Sequence, residues 1–210
     1  KNKIKLIKSS SQKKHRQQLG LFTVEGVKGV KEFLNSNFEL EMLYTTKLIF
    51  DAPSDRIHEI LEVDLKKISN LKNPNTALAI FKIPEQKGVS KSGLTIALDD
   101  VRDPGNLGTI IRLCDWYGIK DLVCSANTVD CYNSKVVQAT MGSLIRVNVS
   151  YLDLENYLEA QNTEVFGTFM NGENIYTTNL PSEGVIVLGN EANGISETIQ
   201  SKVKRQITIP

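Results

Sequence analysis

The second half of the chain alternates short apolar segments with amphipathic ones, and this alternation restricts the possible folds more than any other feature. The predicted strands are LTIALDD, DLVCS, LIRVNV, TEVFGTFM, EGVIVLGN and QITIP. Helical patterns lie between most of them, namely LGTIIRLCDWYG, NSKVVQATM, LDLENYLEAQ and SETIQSKV. Strands that alternate with helices are typical of a mainly parallel sheet. We therefore predict an α/β domain from residue 94 onward.

The first half of the chain has a different pattern. FTVEGVKGVKEFL predicts a helix whose apolar stripe consists of Val27, Val30, Phe33 and Leu34. LEMLYTT and the apolar run TALAIFKI predict strands, and SDRIHEILE predicts a helix that begins at Ser54. These elements again indicate a mixed α/β fold.

A polar segment separates the two halves. Residues 84–93, PEQKGVSKSG, are rich in Lys, Ser and Gly and poor in apolar side chains, as linkers are. The chain has 210 residues, enough for two small domains. We predict a first domain at 1–86, a linker at 87–93 and a second domain at 94–210.

Charge is balanced over the chain but not along it. Lys and Arg number 25 and Asp and Glu number 24, so the net charge of +1 gives no reason to expect an anionic partner. However, seven cations precede the first acid, Glu25: Lys1, Lys3, Lys5, Lys8, Lys13, Lys14 and Arg16. Such a basic arm either follows a phosphate backbone or forms a solvated terminal helix. The pattern leaves both alternatives open, with Lys13, Lys14 and Arg16 as candidate phosphate contacts.

Several classes of protein lose support from the composition. The three cysteines form no CxxC pair and only two histidines are present, so neither a disulfide framework nor a metal centre is expected. No apolar run approaches the ~18 residues of a membrane helix, and the basic start lacks a signal-peptide core. We therefore expect a cytoplasmic protein without a membrane segment. The sequence does not begin with Met, so the natural protein is expected to be longer.

Two predicted strand-to-helix turns are candidate ligand sites, because ligands of parallel sheets bind at the carboxyl ends of the strands. These turns are DDVRDPGNLGTIIR at 99–112 and VLGNEANGIS at 187–196. Neither contains GxGxxG or GxxxxGK[ST], which counts against an oxidoreductase with a dinucleotide cofactor and against a Walker-type phosphate site.

Each candidate residue also has a purely structural interpretation. Asn106 is either a ligand contact or the N-cap of the next helix, and Arg112 either serves a ligand or extends its charge to solvent. Gly189 permits close backbone approach to a ligand, but a plain Gly-Asn turn with a solvated Glu191 also fits the pattern. The residues alone predict a ligand site of unknown chemistry.

Four segments in this order and spacing make the prediction more specific: DPGNLGTIIR, NSKVVQATMGSLIRV, VIVLGNEANGIS and ITIP. Together they resemble the SpoU/TrmH family of RNA ribose 2′-O-methyltransferases, which belong to the knotted SPOUT superfamily. FTVEG and ISNLKNPNTALAIFKIP resemble the substrate-binding domain of many members, which has a ribosomal-protein-like RNA-binding fold. The resemblance implies an α/β-knot methyltransferase domain after an α/β RNA-binding domain.

The resemblance also implies roles for individual residues. The catalytic set would be Arg112, Asn106 and Glu191, and the contacts to S-adenosylmethionine would be Thr168, Gly189 and Ile209. A third family motif, of SLN type, would follow Pro210 and is absent, so the knot is expected to be incomplete in this sequence.

The reaction implied is methyl transfer from S-adenosylmethionine to a ribose 2′-hydroxyl. Arg112 would act as the base or would clamp a substrate phosphate, while Asn106 and Glu191 would orient it and the ribose. No metal is required, because the methyl donor is a cationic sulfonium that departs as a neutral thioether. The expected substrate is ribosomal rather than transfer RNA, and the expected partner is a second copy bound through the methyltransferase domain. The alternative is a non-catalytic RNA-binding protein with the same fold.

Overall fold

The computed structural model describes residues 7, 10, 12–90 and 92–210. In the first half, the elements are α1 (Lys13–Leu19), β1 (Leu21–Glu25), α2 (Val27–Leu34), β2 (Leu40–Thr45), β3 (Ile57–Glu59), α3 (Glu62–Ile68) and β4 (Ala77–Lys82). In the second half, they are β5 (Leu94–Leu98), α4 (Pro104–Trp116), β6 (Asp121–Cys124), α5 (Ser134–Thr140), β7 (Asn148–Tyr151), α6 (Leu154–Glu159), β8 (Val165–Asn174), β9 (Gly184–Leu188), α7 (Glu197–Gln200) and β10 (Arg205–Thr208). Among the described residues, no helix is long and apolar enough to span a membrane.

Contacts divide the chain into two compact units. Unit 1 combines the chain up to Glu85 with Asp130–Ile145, and unit 2 combines Gln86–Val129 with Arg146–Pro210. The predicted domain at 94–210 was continuous, so the assignment of Asp130–Ile145 to unit 1 corrects that boundary. The physical reason is packing: α5 contacts β1 and buries Val136 and Val137.

The sheet of unit 1 has four strands in the order β1-β4-β2-β3. β4 is antiparallel to both of its neighbours, and β3 is parallel to β2. The fully buried Phe22, Phe33 and Phe81 form the centre of its core. The ring of Tyr132 lies 4.7 Å from the ring of Phe22, so the residues before α5 are part of this core as well.

The sheet of unit 2 has six strands in the order β10-β8-β9-β5-β6-β7, and every neighbouring pair is parallel. The central strands supply Ala97, Val123 and Val187 to the core, and the helices α6 and α7 cover them with Leu158 and Ile199. The predicted parallel sheet of the second half is thus observed.

Local structure departs from the predictions at two places in unit 1. The FTVE segment forms β1, and the helix begins only at Val27, after Gly26 with its φ of 86°. The predicted helix from Ser54 is a short 3₁₀ turn followed by β3, because β3 pairs with β2 through Leu43 and Ile57. Sheet pairing outweighs local helical preference here.

In unit 2, the sheet pairing also changes the limits of two predicted strands. β7 begins at Asn148, whereas the preceding Ser143–Ile145 form a 3₁₀ turn within unit 1. β8 continues to Asn174, beyond the end of its pairing with β9 at Gly167. On its other edge, β8 pairs with β10 in two stretches, first through Phe166 and Gly167 and then through Glu173 and Asn174. The register of β10 shifts between these stretches, from Gln206 to Ile207.

Candidate active site

The first site residue lies in the opening turn of α4. Asp103 is the N-cap of this helix, since its Oδ1 accepts a 2.8 Å hydrogen bond from the backbone N–H of Asn106. Pro104 occupies the first helical position, where its missing N–H costs nothing. The alternative in which Asn106 is the N-cap is therefore wrong. The Asp-Pro pair is the signal that identifies Asp103 as the cap.

Asn106 contacts the second candidate loop. Its Nδ2 donates a 3.0 Å hydrogen bond to Oε1 of Glu191, and both side chains are exposed. Glu191 lies in the loop of residues 189–196, hereafter the Glu191 loop. The structure therefore joins the two segments that the sequence identified as ligand turns.

Electrostatics keep Glu191 ionised. The hydrogen bond from Asn106 lowers the pKa of Glu191, and contacts with the backbone of Glu191 itself, Arg102 and Asp103 lower it further. Burial acts in the opposite direction but does not outweigh these contacts. Arg102 and Asp103 immediately precede α4, where a negative charge is favourable. Glu191 is therefore a hydrogen-bond acceptor and a fixed negative charge near neutral pH.

Arg112 lies farther along α4 and is exposed. Its side chain forms no hydrogen bond or ion pair with other described residues, so it does not contact Asn106 or Glu191. The neighbouring Ile111 and Cys114 are buried, and they anchor the helix from which Arg112 projects. Its guanidinium is accessible to an anionic ligand.

Gly189 is required by the Glu191 loop itself. A Cβ atom at this position would lie 2.2 Å from the carbonyl carbon of Gly194 and 2.3 Å from the nitrogen of Ile195. Asn190 and Gly194 exchange two backbone hydrogen bonds of 2.9 Å, which close the loop on this side. The requirement for glycine therefore has a source within the chain, in agreement with the turn that the sequence offered as an alternative to a ligand contact.

Thr168 lies on β8, the neighbour of β9 in the sheet, and Ile209 directly follows β10. The Thr168 hydroxyl donates a 3.2 Å hydrogen bond to the carbonyl of Val187 in β9, and its side chain is half-buried. Ile209 follows β10 and is 68% exposed. Thr168 is hydrogen-bonded to Val187 near the end of β9, and Gly189 directly follows β9, so Thr168 and Gly189 are close to each other. Ile209 follows β10, which pairs with the other edge of β8.

The predicted RNA contacts of the basic arm separate into two groups. Lys13 and Lys14 are exposed on α1, whereas Arg16 is only 2% exposed and forms an ion pair with Asp130 at 2.6 Å. A buried, paired guanidinium does not reach a phosphate, so the predicted RNA contact of Arg16 is wrong. No local signal indicated its partner, which is 114 residues away. Four further predicted cations lie outside the described residues: Lys1, Lys3, Lys5 and Lys8.

Comparison with protein families identifies the chain. Residues 93–210 match the model of the SpoU rRNA Methylase family. The chain belongs to this family. Residues 1–79 also match the MRM3-like substrate binding domain, so both halves of this SpoU methylase have counterparts in known proteins. The predicted family is confirmed.

Named relatives differ in how much of their length this SpoU methylase covers. It is 27% identical to the 23S rRNA (guanosine(2553)-2′-O)-methyltransferase RlmP of Bacillus subtilis, over 99% of this chain and 87% of RlmP. It is 29% identical to the mitochondrial rRNA methyltransferase 3 of Xenopus laevis, over 77% of this chain and 43% of that protein. The chain thus spans less than half the length of this mitochondrial relative.

Solved structures confirm the fold. A TrmH-family protein from Porphyromonas gingivalis has a TM-score of 0.92 and 36% identity, over 100% of this chain and 88% of that chain. An AdoMet-bound rRNA methyltransferase from Sinorhizobium meliloti has a TM-score of 0.85 and 26% identity, over 99% of this chain and 85% of that chain. The predicted combination of an α/β substrate-binding half and an α/β methyltransferase half is therefore correct.

Proposed function

We propose that this SpoU methylase transfers a methyl group from S-adenosylmethionine to a ribose 2′-hydroxyl of ribosomal RNA. The observation that carries the proposal is the hydrogen bond between Asn106 and Glu191, which joins two family motifs at one end of the parallel sheet. RlmP, named as a 23S rRNA 2′-O-methyltransferase, is similar to this chain over 99% of its length.

The residues at this end of the sheet suit S-adenosylmethionine, which supplies an activated methyl group when it is bound. The half-buried Thr168 hydroxyl and the exposed Ile209 side chain offer polar and apolar contacts on adjacent strands. The tightly closed loop at Gly189 presents backbone groups without intervening side chains. This combination matches the mixture of apolar surface and few polar groups that is typical of small-molecule sites.

The catalytic residues act by positioning a weak nucleophile. A ribose hydroxyl reacts slowly unless its oxygen is held in line with the methyl group and its proton is removed. Asn106 donates a hydrogen bond to the Glu191 carboxylate, which orients the ribose as an acceptor. The exposed guanidinium of Arg112 holds a substrate phosphate, a role that suits its planar fork. In its other proposed role, Arg112 is the base that takes the proton of the 2′-hydroxyl.

RNA is held by the first domain. Lys13 and Lys14 have exposed side chains on α1 and would supply cations for the phosphate backbone. Residues 1–79 match a substrate-binding domain, which supports this assignment. Since the named relatives act on ribosomal RNA, ribosomal RNA is favoured over transfer RNA. The site of action would be the cytoplasm.

A second copy of the chain is the proposed protein partner. The last turn of α4 and its C-cap expose Leu113 (49%), Trp116 (83%) and Tyr117 (73%); the last two lie three and four residues after Leu113. Large apolar side chains grouped in this way are typical of interfaces. The substitution Trp116→Glu should convert dimers to monomers in analytical ultracentrifugation, whereas Leu61→Glu, at an exposed apolar position of unit 1, should not. The SPOUT knot, like the dimer, stays a prediction.

One experiment tests the reaction directly. Ribosomal RNA from cells with and without the gene is mapped for 2′-O-methyl groups, and the unmethylated RNA is then incubated with the purified protein and S-adenosylmethionine. We expect one ribose methylation to be missing in the deletion strain and restored in vitro. RNA binding without cofactor binding or methyl transfer would instead support the non-catalytic alternative.

A further inference from the structure

The Glu191 loop is attached at both ends to two consecutive residues that follow β5. At its start, Asn190 Nδ2 donates a 2.8 Å hydrogen bond to the carbonyl oxygen of Asp100. At its end, the backbone N–H of Ser196 donates a 2.7 Å hydrogen bond to Oδ2 of Asp99. Glu191 lies between these two attachments.

Asn190 also organises the interior of the loop. Its Oδ1 accepts hydrogen bonds from the backbone N–H groups of Ala192 at 2.9 Å and Asn193 at 3.1 Å. Its own backbone pairs with Gly194. The Asn190 amide therefore uses its oxygen to shape the loop and its nitrogen to fix the loop to Asp100.

Asp99 and Asp100, which accept these two hydrogen bonds, are themselves held in place. The Asp99 side chain is only 6% exposed, and its backbone N–H donates a 2.9 Å hydrogen bond to the carbonyl of Leu188 in β9. Asp100 adopts a φ of 58°, which is uncommon for a residue other than glycine. Its N–H donates to Ser125 Oγ at 2.9 Å, and its Oδ1 accepts from Arg102 Nε at 2.8 Å.

We propose that Asn190 and Asp99 are positioning residues of the candidate active site, which hold Glu191 against Asn106 by fixing both ends of the Glu191 loop. Asn106 and Glu191 are both exposed, so their hydrogen bond competes with water and gains little by itself. The surrounding backbone must therefore impose their separation of 3.0 Å. The part of the proposal that concerns methyl transfer rests on the proposed function.

The loop contains a matched pair of asparagines for the test. Both the oxygen and the nitrogen of the Asn190 side-chain amide form hydrogen bonds in or from the loop. The exposed Asn193 takes part only through its backbone N–H. Asn190→Ala and Asn193→Ala remove the same atoms from positions close together in the same loop. Asp99→Asn is the conservative variant at the other end, since it retains an oxygen that can accept from Ser196.

The first measurement does not depend on activity. Carbon-13 NMR of labelled glutamate side chains gives the pKa of Glu191, which lies below its usual value chiefly because Asn106 donates to it. Asn106→Ala should raise this pKa and serves as the reference. Asn190→Ala should also raise the pKa of Glu191. Asp99→Asn should raise it by a smaller amount, and Asn193→Ala should leave it unchanged. A folded Asn190→Ala protein with an unchanged Glu191 pKa would overturn the proposal.

The second measurement is single-turnover methylation with saturating cofactor and RNA. We expect Asn190→Ala to lower the rate by about 10²-fold, because small misplacements of reacting groups cost about this much. The dissociation constant for RNA and the rate of Asn193→Ala should stay unchanged. An equal loss in both asparagine variants would refute positioning by Asn190. A wild-type protein that transfers no methyl group would refute the proposed function and leave the pKa measurement as a test of positioning.

Discussion

Arg16 and Asp130 form a buried ion pair, with Nη2 and Oδ2 only 2.6 Å apart, although 114 residues separate them in the sequence. Arg16 Nε also donates to the same oxygen at 2.9 Å, and Nη1 donates to the carbonyl of Ser10 at 3.0 Å. Asp130 begins the segment that the second half of the chain contributes to unit 1. The ion pair therefore helps to hold α1 and this segment in one unit.

Removal of Asp130 should destabilise the protein strongly. Asp130→Ala leaves a buried guanidinium without its counter-charge, which typically costs about 3–5 kcal/mol. Lys14→Ala, on the exposed side of the same helix, should change stability by less than about 0.5 kcal/mol. Urea titrations followed by circular dichroism measure both effects. Equal stability of the two variants would mean that the ion pair contributes nothing to unit 1.

RNA affinity should depend on the exposed lysines of α1. Replacing Lys13 and Lys14 together by Gln should flatten the dependence of log K on log salt by between about 1 and 2, because up to two phosphate contacts are lost. Lys67→Gln, which removes an exposed charge from another helix of unit 1, is the control. Fluorescence anisotropy at several salt concentrations gives the slopes. A slope that is unchanged in the double variant would favour the alternative of a solvated helix.

The variant Arg112→Lys tests whether Arg112 takes part in methyl transfer or is only a surface residue of α4. Lysine keeps the charge but lacks the planar fork that binds phosphate through two hydrogen bonds. We expect methyl transfer to fall by orders of magnitude, with a stability change within about 0.5 kcal/mol because the side chain is exposed. Single-turnover methylation at saturating cofactor measures the rate. Near-normal turnover would leave Arg112 as a surface residue without a catalytic role.

Gly189→Ala should disrupt the Glu191 loop. The new methyl group would lie 2.2 Å from the Gly194 backbone, so the loop must open. S-adenosylmethionine affinity, measured by calorimetry, should then fall sharply. Gly88→Ala is the control, because a Cβ there meets nothing within 4 Å. Full cofactor affinity in Gly189→Ala would place the cofactor away from this loop.

The pH dependence of stability should reveal the pairing of Asn106 with Glu191. A carboxyl group whose pKa is lowered by folding stabilises the folded state above its unfolded pKa, and this contribution disappears as the pH falls through the folded pKa. The ordinary glutamate pKa of 4.5 marks the upper edge of this window. Wild type should exceed Asn106→Ala in stability at pH 7, and the excess should shrink below pH 4.5. If the stability difference between wild type and Asn106→Ala stayed constant across this pH range, it would not arise from the charge of Glu191.

The sequence alone determined the features that depend on nearby residues. Alternating apolar and amphipathic segments predicted the parallel sheet of unit 2, because hydrophobic periodicity reports directly which face of each element is buried. The DPGN turn and the GNEANG loop identified Asn106, Gly189 and Glu191, because turns of this kind require Pro, Gly and Asn at fixed positions.

Only the tertiary structure decided the features that depend on distant partners. Ile57–Glu59 form a strand because β2 provides the hydrogen-bonding edge, although their local pattern predicted a helix. Arg16 is buried because Asp130 compensates its charge, whereas its basic neighbours in sequence are exposed. Asp130–Ile145 belong to unit 1 because their apolar side chains pack on β1. Local patterns record which residues prefer burial, but they do not specify the residues against which they are buried.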